Sequence, residues 1–330
     1  MKGKHHITVE SSNLKYEFEI KRNFTVILGE SATGKTTLID LLNEIRRRGG
    51  NGAVRIQSDV PCSVYLAGED NWKYELAGLS GTIVFFDEDY RFIFTKEFAE
   101  FAAKADNYFV FITRKPLKNL PYSINEIYGI RTTGKYHFPE QAYHEFYPIY
   151  DNELCLNNID AKLLLLVEDK DSGYEFYKSV AQKADVRSAE GNSSILPKMI
   201  ESSLDGKMLV VADGAAFGAY IDAVIKFAEM KGNVGLYFPE SFEWIILKSG
   251  VLGNNDIQSI LDSPEEYIDS QKYVSWERFF TALLIERTKN DKYMRYSKTK
   301  LPEYYLTPGS VEKIRKVIPE EIRNLFLCKR

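Results

Sequence analysis

The stretch ILGESATGKTTL, from Ile27 to Leu38, decides how the first part of this chain folds. It contains the pattern G-x-x-x-x-G-K-T, follows the apolar run Phe24 to Leu28, and leads into apolar residues at helical spacing. This order predicts a strand, a glycine-rich loop and a helix, which is the context that makes the pattern informative. The N–H groups of such a loop and of the following helix N-terminus bind phosphate oxygens. The stretch therefore predicts a nucleoside triphosphate site, and a chance glycine turn is the alternative.

Each position of the motif has a predicted role. Gly29 and Gly34 allow the backbone to turn so that successive N–H groups point into one concavity. Lys35, the candidate catalytic cation, reaches the β- and γ-phosphates, and the Thr36 hydroxyl ligates Mg²⁺. The predicted nucleotide-binding residues are Gly29, Glu30, Ser31, Ala32, Thr33, Gly34, Lys35, Thr36 and Thr37. ATP and Mg²⁺ are the predicted cofactors, and the lack of an N-K-x-D-type guanine-reading motif favours ATP over GTP.

The apolar run TIVFF ends in acids, which supply the second half of the predicted site. Asp87 stands where this strand leaves the sheet and is predicted to hold the metal through water. The next residue, Glu88, is the candidate catalytic base that polarises the attacking water. The strand YFVFIT ends beside Arg114. This arginine either stabilises transition-state charge, in the same chain or in a neighbouring subunit, or is a surface arginine beside Lys115.

Composition excludes several classes of protein. A chain of 330 residues, 44% apolar and 27% charged, is typical of a soluble globular protein with room for two domains. The net charge of −4 argues against a dedicated polyanion binder but leaves room for a local basic patch. The cysteines Cys62, Cys155 and Cys328 lack metal or disulfide spacing, which predicts a cytoplasmic protein. No apolar run approaches the roughly 18 residues of a membrane span, so no membrane association is expected.

Apolar strands alternate with helical stretches twice along the chain, which predicts an α/β fold in two domains. Residues 1–150 are expected to form a compact domain with a parallel sheet around the phosphate-binding loop. After Tyr150 the alternation restarts at KLLLLVED, Lys162 to Asp169. Residues 151–330 are therefore expected to form a second α/β domain that ends in a helical tail.

Gly29–Thr36 and Asp87–Glu88 together resemble the ABC/OLD-like branch of P-loop ATPases. In the second part, LLLLVEDKDSGYEFYKSV resembles the opening of a TOPRIM domain, as found in OLD-family nucleases. The resemblance implies that Glu168 and Asp213 hold Mg²⁺ for phosphoryl transfer on nucleic acid, with Glu243 as a further acid. The family's second aspartate is replaced by Ala215. Because two-metal hydrolysis needs several carboxylates, one weak Mg²⁺ site is expected here and a full two-metal site is not.

Three interpretations of the second domain stay open: an active nuclease, a degenerate TOPRIM domain with a binding or regulatory role, and an unrelated doubly wound domain. The stretch from Glu286 to Lys300 interleaves lysines and Arg295 with Tyr293 and Tyr296. It predicts either a nucleic-acid contact or a solvated segment with its tyrosines packed inward.

The leading hypothesis is ATP binding and hydrolysis that controls a nucleic-acid-directed module, with DNA or RNA as candidate partners. The resemblance implies a role in phage–host conflict or DNA maintenance. One alternative is an ATP-gated scaffold or sensor that binds a protein partner or a second copy of the chain. Another is a small-molecule kinase, for which the sequence offers no lid with clustered arginines.

Overall fold

Apolar sequence runs form the centre of two sheets. The computed structural model describes residues 1–28, 34–48, 52–87, 90–137, 141–154, 163–182, 184–202, 206–253 and 255–326. Contacts within the chain divide it into two units. The first unit comprises Met1–Tyr150 and Ser263–Ser275, and the second comprises Asp151–Asp262 and Trp276–Arg330.

The first unit contains nine described strands and three described α-helices. The strands are β1 (His5–Glu10), β2 (Leu14–Ile20), β3 (Phe24–Ile27), β4 (Arg55–Gln57), β5 (Cys62–Val64), β6 (Thr82–Phe86), β7 (Asn107–Ile112), β8 (Ile127–His137) and β9 (Gln141–Pro148). The helices are α1 (Lys35–Arg48), α2 (Trp72–Ala77) and α3 (Lys96–Ala102). Helix α1 follows the glycine-rich loop, as the sequence predicts.

The nine strands form one sheet in the order β4-β1-β2-β9-β8-β3-β7-β6-β5. Strands β8, β3, β7, β6 and β5 are parallel to their neighbours in this series, as predicted for the region around the phosphate-binding loop. At the other end of the sheet, β1 runs antiparallel to both β2 and β4, and β9 runs antiparallel to β8, so the sheet as a whole is mixed. Short connections join β1 to β2 and β8 to β9, and a short connection can only reverse the chain.

Both faces of the central strands are covered. On one face, Leu38, Ile39, Leu41 and Leu42 of α1 pack in a core that includes Ile83 and Phe85 of β6. On the other face, the neighbouring residue Phe86 packs with an aromatic group formed by Tyr65, Phe92, Phe98, Phe109 and Phe111. The alternation follows from the two-residue period of a strand, and it explains why β6 is apolar at every position.

The segment Ser263–Ser275 is the part of the first unit that lies far along the chain. The buried side chain of Asn23 donates from Nδ2 to the carbonyl oxygens of Ser270 at 3.0 Å and Tyr273 at 3.1 Å. The N–H of Ser270 donates to the carbonyl oxygen of Met1 at 2.9 Å. A buried amide without such partners would destabilise the unit, so these bonds tie the segment to the strands.

The second unit has five described strands and eight described α-helices. The strands are β10 (Glu153–Leu154), β11 (Leu163–Val167), β12 (Ala184–Ser188), β13 (Lys207–Val211) and β14 (Val234–Tyr237). The helices are α4 (Ser172–Val180), α5 (Ile195–Ser202), α6 (Ile221–Lys231), α7 (Phe242–Lys248), α8 (Asn255–Asp262), α9 (Trp276–Thr288), α10 (Pro308–Val317) and α11 (Glu320–Phe326). The predicted helical tail is thus present, and α10 begins at Pro308, a residue that suits the first position of a helix.

The sheet of the second unit has the order β10-β14-β13-β11-β12. Its four longer strands are parallel, and β10 pairs antiparallel with β14 at the edge. In a parallel sheet all carboxyl ends meet at one edge, which is where α/β folds place their ligands. The loops that leave β11 and β13 therefore lie side by side.

Candidate functional site

The carboxyl ends of β3, β6 and β7 meet at one edge of the first sheet. Ile27 pairs with Ile112, and Phe86 pairs with Phe111. Asp87 directly follows Phe86, so its backbone lies level with Ile112 and with Ile27. Since β7 separates β3 from β6, Asp87 lies about 10 Å across the sheet from the end of β3, two strand spacings away. That distance leaves room for a phosphate and a hydrated metal ion between them.

Gly34 begins the helix that follows β3. Its φ of +92° lies in the left-handed region that glycine adopts without strain. Its carbonyl oxygen accepts the first helical hydrogen bond, from the N–H of Leu38 at 2.9 Å. The same oxygen accepts a hydrogen bond from the hydroxyl of Tyr16, also at 2.9 Å. A Cβ at position 34 would lie 2.8 Å from this hydroxyl, so a larger residue there would have to displace the Tyr16 side chain.

Tyr16 ties strand β2 to the start of α1. Burial raises the pKa of its hydroxyl to about 12, and a hydrogen bond with the Thr37 side chain opposes this in part. The hydroxyl therefore stays protonated and available to donate. The ring of His144 on β9 stacks on Tyr16, with 4.6 Å between ring centroids and 12° between planes. Burial lowers the pKa of His144, which favours the neutral imidazole in this stack.

Lys35, Thr36 and Thr37 form the first turn of α1. Their N–H groups precede the first complete turn and have no acceptor within the helix, so they lie at its positive pole. Lys35 is buried, whereas Thr36 is exposed. A phosphate is an anion that both the positive pole of a helix N-terminus and a lysine in the first turn attract.

Arg114 follows β7 at the same sheet edge and is exposed. Thr113 before it is buried, and its hydroxyl accepts the N–H of Lys115 at 3.1 Å. This turn carries Arg114 away from the end of the strand. Both interpretations of Arg114, a phosphate-directed cation and a surface arginine, remain predictions.

The other predicted residues of the nucleotide site lie outside the described residues. They are Gly29, Glu30, Ser31, Ala32, Thr33 and Glu88. The described part of the site is thus Gly34–Thr37, Asp87 and the turn at Thr113 and Arg114.

A group of acids lies at the carboxyl edge of the second sheet. Glu168 follows β11, and Asp213 follows β13 after one residue. The N–H of Glu168 donates to the carbonyl oxygen of Val211 at 2.8 Å, so the two loops start from adjacent strands. Oδ1 of Asp213 accepts the N–H of Phe242 at 3.2 Å, and this places the start of α7 against the same loop.

Lys298 lies among these acids. Its Nζ is 3.1 Å from Glu243 Oε1, 3.5 Å from Glu277 Oε1 and 4.0 Å from Asp213 Oδ2. Glu243 comes from α7 and Glu277 from α9, so one ammonium group joins three elements. We call Glu168, Asp213, Glu243, Glu277 and Lys298 the acidic cluster. The cluster concentrates four carboxyl groups around one internal cation.

Tyr296 fixes Glu243 within the cluster. Its buried hydroxyl donates to Glu243 Oε1 at 2.8 Å and lies 2.6 Å from the hydroxyl of Ser172 at the start of α4. Glu243 is fully buried, and its Oε2 has no hydrogen-bond partner among the described residues. A buried carboxylate oxygen without a partner is unfavourable, so this oxygen is a vacant acceptor beside the ammonium group.

The pKa shifts within the cluster follow from burial and crowding. Burial, with repulsion from neighbouring acids such as Glu277, raises the pKa of Glu168 to about 7 although Lys298 opposes the shift. Burial also raises the pKa of Asp213 well above its usual range. For Lys298, burial disfavours the charge, but the carboxylates of Asp213, Glu243 and Glu277 outweigh it and raise the pKa. The lysine is therefore charged at neutral pH, and the acids share the corresponding negative charge.

Asp169 and Ala215, which lie near the cluster in sequence, have other roles. The carboxylate of Asp169 accepts the N–H groups of Asp171 at 3.1 Å and Gly173 at 2.7 Å, so it shapes the turn into α4. Ala215, where the family pattern has an aspartate, is buried, and its N–H donates to the carbonyl oxygen of Glu240.

Sequence reasoning missed the roles of Glu277 and Lys298. Glu277 was not singled out, and Lys298 was assigned to a solvated or nucleic-acid-binding stretch. They lie 109 and 130 residues after Glu168, and no spacing rule connects a loop to residues so far along the chain. The stretch that mixes cations with tyrosines was the available signal for Lys298. A tyrosine that packs inward brings the residues next to it in sequence close to the interior.

Within the described ranges, no group of three or more His, Cys, Asp and Glu side chains is arranged to hold a metal ion. Lys298 Nζ contributes positive charge where its acidic neighbours converge. Glu168 and Asp213 therefore remain a prediction for Mg²⁺, and the lysine is the cation that the structure places there.

Comparison with family models found no match, and comparison with curated proteins found no significant match. Of the helices that the structure describes, none has both the length and the apolar character needed to cross a membrane.

Proposed function

We propose that the first unit binds and hydrolyses ATP with Mg²⁺. The observation that carries this proposal is the arrangement at the end of β3. There, a buried lysine opens a 14-residue helix, and Asp87 lies at the same level two strands away. The glycine before the lysine has a positive φ and is held by a tyrosine. This combination suits a polyphosphate, because the helix N-terminus and the ammonium group attract the anion.

The described side chains divide the work of the site. The N–H groups at the start of α1 and the Lys35 ammonium group hold phosphate oxygens and offset the negative charge that develops during transfer. The Thr36 hydroxyl and the Asp87 carboxylate are oxygen donors of the kind that Mg²⁺ prefers. The metal supplies neutralisation of the phosphate charge when bound. Glu88, adjacent to Asp87 in sequence, is the proposed base that orients the attacking water.

The nucleotide state controls the second unit in this proposal. The second unit is a TOPRIM-like module directed at nucleic acid, with Glu168 and Asp213 as its metal-binding acids. Support comes from the parallel sheet, whose adjacent strands β11 and β13 are each followed by an acid. A role in phage defence or DNA maintenance belongs to the same proposal.

Phosphate release from ATP tests the proposal directly. Wild type and Glu88→Gln are measured, each with and without DNA, with Glu201→Gln as a control at an exposed acid. We expect turnover by wild type and the control, stimulation by DNA, and loss of turnover in Glu88→Gln by a factor of at least about 100. Equal turnover by wild type and Glu88→Gln would exclude the assigned base. Negligible turnover by wild type under every condition would exclude an ATPase.

A second candidate function is an ATP-gated scaffold whose acidic cluster is inactive. The contacts of Lys298 favour it, because the ammonium group balances three carboxylates without a metal. Ala215 at the position of a family acid points the same way. Metal-dependent nicking of DNA that Asp213→Ala abolishes would reject the scaffold. An oligomeric state that responds to ATP in wild type but not in Lys35→Ala, without nicking, would support it.

A further inference from the structure

Residues 289–300, which we call the basic strap, connect α9 to the short 3₁₀ helix Glu303–Leu306. Hydrogen bonds hold the strap near its middle and just beyond its end. The N–H of Tyr296 donates to the Thr288 hydroxyl at 2.9 Å, and the N–H of Leu301, just after the strap, donates to Glu175 Oε2 at 2.6 Å. Together with Lys298 in the acidic cluster, these bonds give an irregular segment a defined conformation.

The two strap tyrosines point in opposite directions. Tyr296 is 3% exposed, as the inward-packing alternative requires. Tyr293 is 81% exposed, which is among the highest exposures of any described large aromatic or aliphatic side chain. Oδ1 of Asp291 accepts the N–H groups of Tyr293 at 2.8 Å and Met294 at 3.0 Å, so a local turn presents the ring. The prediction that the tyrosines of this segment pack inward is therefore confirmed for Tyr296 and wrong for Tyr293.

Cations flank the exposed ring. Lys292, Arg295 and Lys300 are exposed, and within the described ranges none of them forms a salt bridge. The fourth exposed cation, Lys289, pairs with Glu286 at Nζ–Oε1 2.5 Å. The one acid within the strap, Asp291, is occupied by the turn. The exposed charged side chains of the strap are thus all cations, although the whole chain carries a net charge of −4.

We propose that the basic strap binds single-stranded nucleic acid, with Tyr293 stacking on a base and Lys292, Arg295 and Lys300 contacting phosphates. An exposed ring between unpaired cations matches this ligand because every unpaired base offers a stacking face and every nucleotide offers a negative charge. A duplex would gain from the cations and not from the ring, since its bases are already stacked. The strap also carries Lys298 into the acidic cluster, so it would bring the bound strand to that site.

Binding by the strap would deepen the proposed function by naming the nucleic acid, and only its biological purpose rests on that function. The binding itself needs neither ATP nor cleavage. The experiment uses the full chain, without nucleotide, and a fluorescently labelled oligothymidylate of about 20 nucleotides. Fluorescence anisotropy gives the affinity over a series of salt concentrations. Three phosphate contacts predict a log–log salt slope of about −2 for a single strand.

The variants separate stacking from charge. Tyr293→Ala should weaken binding about tenfold, and Tyr293→Phe, which keeps the ring, should bind as wild type does. Lys292→Ala combined with Arg295→Ala should weaken binding and bring the slope to about −0.7, that of one remaining contact. Matched controls are Tyr74→Ala, at another highly exposed tyrosine, and Lys226→Ala combined with Lys313→Ala, at exposed lysines. The controls should leave affinity unchanged.

Three results would overturn the proposal. They are no binding of the oligonucleotide by wild type at low salt, equal affinities of the strap variants and the controls, and an equal loss on duplex and single strand from Tyr293→Ala. The first result would leave the strap as a surface for a protein. Phosphate release, measured on the same preparations, tests the proposed function separately. A chain that binds the oligonucleotide without hydrolysing ATP would refute the proposed ATPase and leave the binding proposal standing.

Discussion

The two units place charged side chains at the same kind of sheet edge and balance the charge in opposite ways. In the first unit, β3 is followed in the chain by helix α1, whose first residue is the buried Lys35. In the second unit, the carboxyl ends of β11 and β13 face acids whose cation, Lys298, comes from the chain itself. The first edge is proposed to bind an anion, whereas the second already contains both signs of charge. A shared α/β architecture therefore does not specify what a sheet edge binds.

The largest expected effect is at Lys35. Replacing Lys35 by alanine removes the ammonium group that faces the phosphate position and leaves the helix N-terminus in place. We expect ATP affinity to fall at least about 100-fold, or about 3 kcal/mol, because the charge acts in a partly buried site. Binding of a fluorescent ATP analogue measures the loss. Lys313→Ala, at an exposed lysine of α10, is the control. Undiminished affinity in Lys35→Ala would mean that the first edge is not an anion site.

The second prediction tests the internal cation. Lys298→Met keeps the length of the side chain and removes the charge that balances Glu243, Glu277 and Asp213. We expect the free energy of unfolding at pH 8 to fall by about 2 kcal/mol; the loss is smaller than for a fully buried pair because Lys298 is one-third exposed. Mg²⁺ should restore part of this stability in the variant and have little effect on wild type.

Chemical denaturation with and without Mg²⁺ measures both effects of Lys298→Met, and Lys313→Met is the matched control. A variant as stable as wild type, and indifferent to Mg²⁺, would show that the ammonium group does not balance the acids. The two sheet edges would then differ less than their contacts indicate.

Particular residues show how far the sequence alone could reach. The helix Lys35–Arg48 and the strands that end at Phe86 and Ile112 follow from local patterns, because glycine turns and apolar runs are properties of neighbouring residues. The parallel pairing of β2 with β9 was not predicted, since it joins residues more than 120 apart. The return of Ser263–Ser275 to the first unit was not predicted either, for the same reason.

The acidic cluster shows the same limit for a site. Glu168 and Asp213 could be named because each ends an apolar strand, which is a local signal. Lys298 could not be placed, because its position depends on Tyr296, whose hydroxyl reaches Ser172 and Glu243 on two other helices. Whether a tyrosine in a basic stretch points inward or outward is decided by tertiary packing, and Tyr293 and Tyr296 have nearly the same sequence surroundings.

The third prediction concerns the pH dependence of the second edge. The pKa of Glu168 is about 7 in the folded chain and about 4.5 in the unfolded chain. The folded state thus binds the proton more tightly, so this group contributes stability that is complete below pH 4.5 and is lost as pH rises through 7. Glu168→Gln cannot ionise and should keep that stability. We expect it to be about 3 kcal/mol more stable than wild type at pH 8 and equal to it at pH 4.5.

Denaturation of Glu168→Gln and wild type between pH 4.5 and pH 8, with a chelator present, measures the difference. Glu201→Gln, at an exposed acid of α5, should show no pH-dependent difference from wild type. A loss of stability of Glu168→Gln relative to wild type as pH rises would contradict this prediction. It would mean that Glu168 is ionised in the folded chain and that its attraction to Lys298 outweighs the effect of burial on its pKa.

The smallest expected effect lies at Tyr16 and tests how the first edge is held ready for its ligand. Tyr16→Phe removes the hydroxyl that donates to the Gly34 carbonyl oxygen at 2.9 Å and keeps the ring that stacks on His144. One hydrogen bond is worth about 1 kcal/mol, so we expect ATP affinity to fall about fivefold. Titration with the fluorescent analogue measures it, and Tyr74→Phe, at an exposed tyrosine, is the control. If Tyr16→Phe lost stability but kept its affinity for ATP, the Tyr16 hydroxyl would have a structural role only. A loss of affinity at unchanged stability would show that the strand beside the loop orients the backbone that receives the phosphate.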